Sequence, residues 1–375
     1  MTEVLVSGAS VAGMTAAYWL TQYGYSVTVV ERCPGLRRGG QAIDVRGPAL
    51  TVLERMFLRA AADHLRTRIR GASVVDRDGN ELSQDTESTP SGGLIASPDI
   101  ELLRDDLIEL LYDATKLNVE YLFDDTIAAL QDDALVDPKV AVTFERAGAR
   151  NFDLVIGADG LHSNVRRLVF GDEERYIDRL GTFAAIFTVP NFLDLDYWQT
   201  WHYGDSTMAG IYSARGNAEA RAMLGFMEPD LRIDYRDTEA QFAELERRMA
   251  DDGWVRPQLL EYMRSAEDFY FDEMSQIKMD HWSKGRVALV GDAGYCCSPL
   301  SGQGTSVALL GAYFLAGELK AAGEDYEKGF ANYHAEYADY VKRNQWLVVD
   351  NIPGGAPIPQ EVFERIVNSI ELKDY

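Results

Sequence analysis

The sequence predicts an α/β protein in which a parallel-sheet domain is interleaved with a β-rich second domain and followed by helices. Three observations carry that expectation. Residues 2 to 33 read as strand, glycine turn, helix and second strand. Apolar strands of the same kind return at Leu154-Val155-Ile156 and between Gly285 and Gly291. From Thr182 to about Phe271 the chain instead shows aromatic, strand-like runs. At 375 residues and 46% hydrophobic it can bury a large core, and two domains are the natural division.

The elements follow in order. Val4-Leu5-Val6 is a short β run, the stretch from Gly13 to Tyr23 is helical, and Val27-Thr28-Val29-Val30 is β-branched, which together make a βαβ unit. Residues 49 to 65 and 101 to 116 carry apolar positions at helical spacing, as in Leu102-Leu103, Leu107 and Leu110-Leu111. Between them lie strand-like runs from Ala72 to Val75 and from Asn80 to Leu82. Further strands are expected from Val119 to Leu122 and from Val140 to Phe144. In the second domain the expected strands are Phe183 to Ile186, Tyr197 to Tyr203, Met208 to Tyr212 and Ala222 to Phe226, with an amphipathic helix near Thr238 to Met249. A helix rich in small residues runs from Gly304 to Leu319, and the chain ends in helices from Tyr326 to Leu347 and from Pro359 to Ile370.

Composition excludes several function classes. Sixty acidic against 36 basic residues give a net charge of −24, which repels phosphate backbones and anionic lipid and argues against nucleic acid and membrane partners. Cys33, Cys296 and Cys297 lack metal-ligand spacing, so neither a disulfide framework nor a metal site is expected, and a reducing cytoplasm fits. No basic n-region precedes the first apolar run, so no signal peptide is expected, and the run from Val307 to Leu315 is short of the ~20 residues that cross a bilayer.

The first turn, Gly8-Ala9-Ser10-Val11-Ala12-Gly13, matches the dinucleotide fingerprint at its first and third glycines, with Ser10 in place of the second. The glycines allow a tight turn and close approach of a pyrophosphate to backbone N–H groups. The helix N-terminus, with its unpaired donors, then faces the phosphates. Glu31 ends the second strand 18 residues after Gly13, near the spacing of a ribose-binding acid, and Arg32 beside it is a candidate to lie over adenine. At this point the dinucleotide could be NAD or FAD.

Two further motifs separate these. Residues 153 to 166 read Asp-Leu-Val-Ile-Gly-Ala-Asp-Gly-Leu-His-Ser-Asn-Val-Arg, and residues 291 to 304 carry Gly-Asp-Ala followed by Pro-Leu-Ser-Gly-Gln-Gly. With the first turn, these three motifs in this order resemble the class A flavoprotein monooxygenases, the aromatic-hydroxylase superfamily that includes p-hydroxybenzoate hydroxylase and the tetracycline-inactivating monooxygenases. The resemblance covers nearly the whole chain. It implies a Rossmann-like FAD-binding domain over residues 1–70, 98–175 and 276–325, an interleaved β-sheet-rich substrate domain over 71–97 and 176–275, and C-terminal helices over 326–375.

Carried across residue by residue, the resemblance implies FAD contacts from Gly8, Ser10, Val11, Ala12, Gly13, Glu31 and Arg32. It further implies contacts from the loop that holds Gln41, Ala42, Asp44 and Arg46, from Arg104 and Thr126, and from Asp159 and Gly160, with Arg166 as their basic companion. Asp292 matches the acid near the ribityl chain and pyrophosphate. Pro299, Gly302, Gln303 and Gly304 open a helix whose N-terminus would face the flavin pyrimidine. Asp159 is equally readable as the residue that holds its own turn. Arg37 is a candidate for the phosphate of NADPH or NADH. The chain departs from the family at Tyr295, where many members carry histidine, and at Cys296-Cys297-Ser298-Pro299 in place of a proline-rich run.

The implied activity is oxygenation of a small aromatic or polycyclic substrate by FAD, NAD(P)H and O2 through a C4a-hydroperoxyflavin, in a cytoplasmic monomer or homodimer. The chemistry belongs to the cofactor, so neither a protein nucleophile nor a metal is required. Trp201, Tyr203, Tyr212 and Phe226 are candidates to stack on a planar substrate, and His202 and Tyr203 to polarise a substrate hydroxyl. Strand alternation sends half of such residues to each face. A halogenase is disfavoured because Trp198-Gln199-Thr200-Trp201 has the wrong spacing for that family's element. An FAD-dependent reductase or dehydrogenase without oxygen transfer, or a non-catalytic flavin-binding redox sensor, would keep every FAD motif.

Overall fold

Packing begins at the first turn. In the computed structural model, which describes residues 1–90, 93–132, 139–250, 253–350 and 358–375, the helix Val11–Gln22 starts so close to the strand before it that a Cβ on Gly13 would collide with the carbonyl oxygen of Gly8. Gly8 has φ +108°, and a Cβ there would lie 2.5 Å from the Ala158 carbonyl oxygen. Both glycines are needed sterically.

Among the described residues, six strands form the first sheet in the order Ser283–Lys284, Val287–Leu289, Leu154–Gly157, Glu3–Ser7, Ser26–Glu31 and Glu120–Phe123. All its pairings are parallel except at the two-residue edge Ser283–Lys284. The central strands Glu3–Ser7 and Leu154–Gly157 are nearly continuous apolar runs, as burial on both faces demands. The helices Val11–Gln22, Arg104–Thr115 and Gly304–Ala322 pack together beside this sheet. A small antiparallel sheet, Ile127–Gln131, Val140–Phe144 and Ala149–Phe152, adds Ile127, Val140, Val142, Phe144 and Phe152 to the same core. The helix Tyr326–Trp346 lies along Gly304–Ala322 and buries Phe330, Tyr333, Tyr337 and Tyr340.

Seven strands form the second large sheet, in the order Tyr270–Ile277, Ile177–Val189, Glu219–Met227, Thr207–Ala214, Gln199–Tyr203, Ala72–Val75 and Glu81–Asp85. One of its faces is covered by the helices Thr238–Met249 and Arg256–Ser265, with Phe183, Ala185, Phe226, Leu245 and Leu259 between. On the other face Trp201, Met208, Tyr212 and Met223 group with Ala42 of the first domain's loop. Register fixes this partition: Trp201 pairs with Gly210, and Tyr212 with both Gln199 and Arg221.

The fold class matches the sequence expectation, and several boundaries move. The helical stretch expected over 49 to 65 divides into Pro48–Arg55 and Arg59–His64 at Phe57, which takes φ +60°. Leu102 and Leu103, whose spacing reads as helical, lie in the strand Ile100–Leu103, paired with Ala42–Val45; the helix starts only at Arg104. The pairing partner is 60 residues away and invisible to local periodicity. The strand Tyr270–Ile277 and the helix Arg256–Ser265 are additional to the sequence expectation. Among the described residues no helix is long and apolar enough to cross a membrane.

Gly13→Ala is expected to lower stability by about 1–3 kcal/mol, because the added methyl must displace backbone rather than a flexible side chain. Urea unfolding of the two proteins measures it.

Candidate active site

The cleft is assembled around the glycine turn. Ser10 is the N-cap of the first helix in extended conformation, yet its hydroxyl makes no capping bond; Val11 and Ala12 form the first buried turn. The first amides of a helix have no intrahelical partner and face outward from its end. Glu31 binds the turn itself: one carboxylate oxygen accepts from Ala9 N–H at 2.8 Å and the other from Cys33 N–H at 2.9 Å. Each oxygen keeps a lone pair for a further donor. Arg32 is exposed beside it. Thr126 follows the neighbouring strand, where Asp125 accepts from the Thr126, Arg146 and Ala147 amides. Against the opposing effect of burial, those bonds hold the Asp125 carboxyl below its usual range.

The loop 39–46 forms the next wall. Arg104 begins its helix at this loop, donating its amide to Gln41 O at 3.1 Å and its guanidinium to Gly39 O at 3.4 Å. Burial and then the charge of Arg37 pull the Arg104 guanidinium down to about 10. Arg37 itself lies over the Tyr270 ring, 4.9 Å from its centroid. Asp44 pairs with Arg46 at 2.9 Å, and burial still pushes its carboxyl up to about 7. The Arg46 amide donates to Ser306 Oγ in the helix beyond Gly304, which joins two walls of the cleft.

The third wall is the pair of later motifs. Asp159 is spent on its own turn: Ser163 Oγ donates to one oxygen and Val165 N–H to the other at 3.0 Å. Gly160 beside it has φ +83° and faces open space. Arg166 departs from its expected place. It is wholly buried, donating to Ala293 O, Leu161 O and the Glu173 carboxylate, so it ties the two motifs together from within and does not line the cleft. Asp292 keeps an accessible side chain, yet the protein around it pushes its carboxyl up, as at the floor of a deep cleft. Cys296 and Cys297 behind it are buried free thiols.

Pro299 begins a short turn that ends at Gly302, which takes φ +62°, and Gln303 caps the helix Gly304–Ala322. Two features here fit a bound group. Gln303 is fully buried, and neither atom of its amide has a hydrogen-bond partner among the described residues. Gly304 has ordinary negative φ, and a Cβ on it would meet no protein atom within 4 Å. Neither backbone conformation nor packing requires glycine at 304, whereas a ring lying against that amide would.

The open face of the seven-stranded sheet supplies the roof. Trp201 and Tyr212 are on it, both buried; Tyr203 is on it at the strand end, half exposed. Phe226 and His202 are not. Phe226 stacks on Phe183 and lies tilted against Phe271 in the helix-covered core. His202 points the same way and accepts at Nδ1 from the Arg256 guanidinium at 2.9 Å. Alternation along each strand separates these two from Trp201 and Tyr212.

A family model described as an FAD binding domain matches residues 1–347. A flavin-dependent monooxygenase of Legionella longbeachae serogroup 1 (strain NSW150) is 39% identical over 343 residues, covering 92% of this chain and 87% of that protein. The chain belongs to the FAD-dependent monooxygenase family. It is also 79% identical over its full 375 residues to a protein of Mycobacterium tuberculosis (strain ATCC 25618 / H37Rv), covering 100% of both. The crystal structure of the tetracycline destructase Tet(51) superposes with a TM-score of 0.90 at 35% identity, over 100% of each chain.

One charged cluster of this monooxygenase was not legible in the sequence. His162, three residues past Asp159, sits between two carboxylates: Nδ1 is 2.9 Å from Glu173 Oε1 and Nε2 is 3.2 Å from Asp272 Oδ1. Its ring stacks on Tyr235 at 3.9 Å, and Tyr270 donates to the other oxygen of Asp272. The triad joins the motif of residues 153 to 166 to the edge strand of the second sheet. Burial alone would lower the His162 imidazole, but its bonds to Asp272 and Glu173 push it up from 6.5 to about 9.

Two outcomes follow from this geometry. Gly304→Ala is expected to leave the FAD-free protein as stable as the parent or slightly more so, while FAD binding weakens at least tenfold; calorimetry without cofactor and a fluorescence titration with it separate the two effects. For His162, a folded value above the unfolded one stabilises fully below pH 6.5, and that stability fades as pH rises through about 9. His162→Gln is therefore expected to cost on the order of 2 kcal/mol at neutral pH and much less above pH 9, in denaturation curves taken across that range.

Proposed function

We propose that this monooxygenase binds FAD along the three walls just described and oxygenates a planar, polycyclic phenolic substrate held under the open face of the seven-stranded sheet, with NADPH or NADH as reductant and O2 as co-substrate. The observation that carries the reading is the Gln303–Gly304 corner: an orphaned buried side-chain amide next to a glycine that neither backbone conformation nor packing requires. In this reading the pyrophosphate lies on the turn Gly8, Ser10, Val11, Ala12 and Gly13, whose helix N-terminus and amides suit a dianion. Glu31 accepts from the adenosine ribose, Arg32 and Thr126 flank the adenine, and Asp159 with Gly160 shapes the turn near the phosphates. Arg104 and Asp292 flank the ribityl chain. Gln41, Ala42, Asp44 and Arg46 border the isoalloxazine opposite Pro299, Gly302, Gln303 and Gly304.

When bound, the flavin supplies the redox and oxygen chemistry. The chain's own residues do the rest. The amides of the helix at Gly304 favour negative charge beside them, through unpaired N–H groups and the helix dipole. Tyr203, half exposed, offers aromatic area for a planar substrate, with the buried Trp201 and Tyr212 rings packed in the same face, and the helix-covered sheet behind them excludes water. Arg37, over Tyr270 at the cleft edge, is placed for the phosphate of the coenzyme. The division into a cofactor domain of residues 1–70, 98–175 and 276–325, a substrate domain of 71–97 and 176–275, and C-terminal helices of 326–375 is part of the same proposal, as is a cytoplasmic location. Support for a polycyclic phenol comes from likeness to relatives described as tetracycline destructases.

The test is incubation of the FAD-loaded protein with NADPH, isotopically heavy dioxygen and tetracycline or other polycyclic phenols. One labelled oxygen in the product, at a stoichiometry near one coenzyme consumed, is expected. Coenzyme oxidation that yields only peroxide across the panel, or none at all, would favour the reductase or sensor instead.

A further inference from the structure

The backbone of the loop 39–42 is gripped from two directions. From the first domain, Asp105 Oδ2 accepts from Gly39 N–H at 3.2 Å, and Arg104 bonds the carbonyls of Gly39 and Gln41. From the second sheet, the Tyr212 hydroxyl accepts from Ala42 N–H at 2.9 Å, and Arg221 Nε donates to Gly40 O at 3.1 Å. Both sheet residues are almost fully buried, and they are direct partners across adjacent strands, Tyr212 opposite Arg221. Arg221 is braced by Glu219 at 2.8 Å, and Glu219 by Arg215, which also reaches Asp105 and Asp106. The two grips therefore meet in one charged chain: Asp105 holds Gly39 on one side and, through Arg215 and Glu219, steadies Arg221 on the other.

We propose that Tyr212 and Arg221 are positioning residues that clasp this loop against the flavin, so that the sheet presented to the substrate also sets the place and redox balance of the cofactor. Three points support a function beyond packing. The clasp touches only backbone atoms, so it fixes where the loop lies without depending on its side chains. A tyrosine and an arginine buried on this face, beside Gln199, are expensive to desolvate, and each commits a polar atom to the backbone of this one loop. The bond from Ala42 also occupies only a lone pair of the tyrosine oxygen, leaving its own proton to donate. Trp201, Met208 and Met223 pack on the same face as Tyr212, so a planar molecule laid there would press on the layer that holds the loop.

The inference rests on the reading that places this loop beside the isoalloxazine. Tyr212→Phe keeps the ring and leaves a buried Ala42 N–H without its acceptor, which costs ~1–3 kcal/mol wherever it is felt. The proposal expects it to be felt at the cofactor. The FAD dissociation constant rises about tenfold, and the midpoint potential of the bound flavin shifts, measured by fluorescence titration and dye equilibration without any substrate. Arg221→Lys, which keeps the charge and loses the Nε bond, is expected to change both in the same direction, and it carries the test if Tyr212→Phe does not fold. A variant that melts earlier while its FAD affinity and potential stay at parental values overturns the clasp and makes Tyr212 structural or a substrate contact. Gly304→Ala in the same titration separates the failures. If it weakens FAD and the clasp variants do not, the clasp alone is wrong; if none of the three weakens FAD, the cleft reading falls with it.

Discussion

Everything in this molecule hangs on how closely one helix can start to one strand. The helix Val11–Gln22 begins where Gly13 touches the Gly8 carbonyl and Gly8 touches Ala158, so the end of the parallel sheet, the glycine turn and the motif of residues 153 to 166 are brought into one small volume. From that crossing the geometry propagates outward. Glu31 closes on the turn from the next strand, Asp159 closes its own turn beneath it, and buried Arg166 joins that turn to the segment carrying Asp292. A bulkier residue at either glycine would separate these walls, and no later contact could restore them.

The second constraint is alternation. A strand has two faces, and in the seven-stranded sheet they have opposite duties: one is sealed by helices and the other packs on Ala42 of the strand Ala42–Val45. Neighbours in sequence therefore do unrelated jobs. His202 is held by Arg256 behind the sheet, while Trp201 and Tyr203 on either side of it look toward the cleft. Phe226 belongs to the sealed face, and Met223, Arg221 and Tyr212 to the open one. That second face thus carries a buried phenol and a guanidinium at its middle, both turned toward the backbone of the loop 39–42.

How much of this could be read from sequence depends on the range over which each feature is specified. The glycine turn was legible because it is a local backbone requirement, Glu31 because it ends the next strand at a short fixed spacing, and the Asp159 turn and the Gly302–Gly304 corner because each stands in a run of consecutive motif residues. Arg166 was legible as a residue and not as a role: a charge in a motif suggests a ligand, and only packing reveals that its partners are two carbonyls and Glu173. The aromatic residues of the second sheet were legible as a set, but their division between faces depends on register, which pairs strands tens of residues apart. His162 could not have been found, because Glu173 and Asp272 meet it from 11 and 110 residues away. The same distance hid Tyr212 and Arg221, whose partners lie 170 and 181 residues earlier.

The most direct test of the central claim, that these walls form the FAD site of a monooxygenase, is a crystal structure of the protein grown with FAD. The account predicts the pyrophosphate on the Gly8–Gly13 turn, the adenosine ribose on Glu31, and the isoalloxazine edge against the Gly304 amide with the Gln303 side chain no longer without a partner. A flavin bound elsewhere, or one whose ring leaves the Gln303–Gly304 corner untouched, would contradict it.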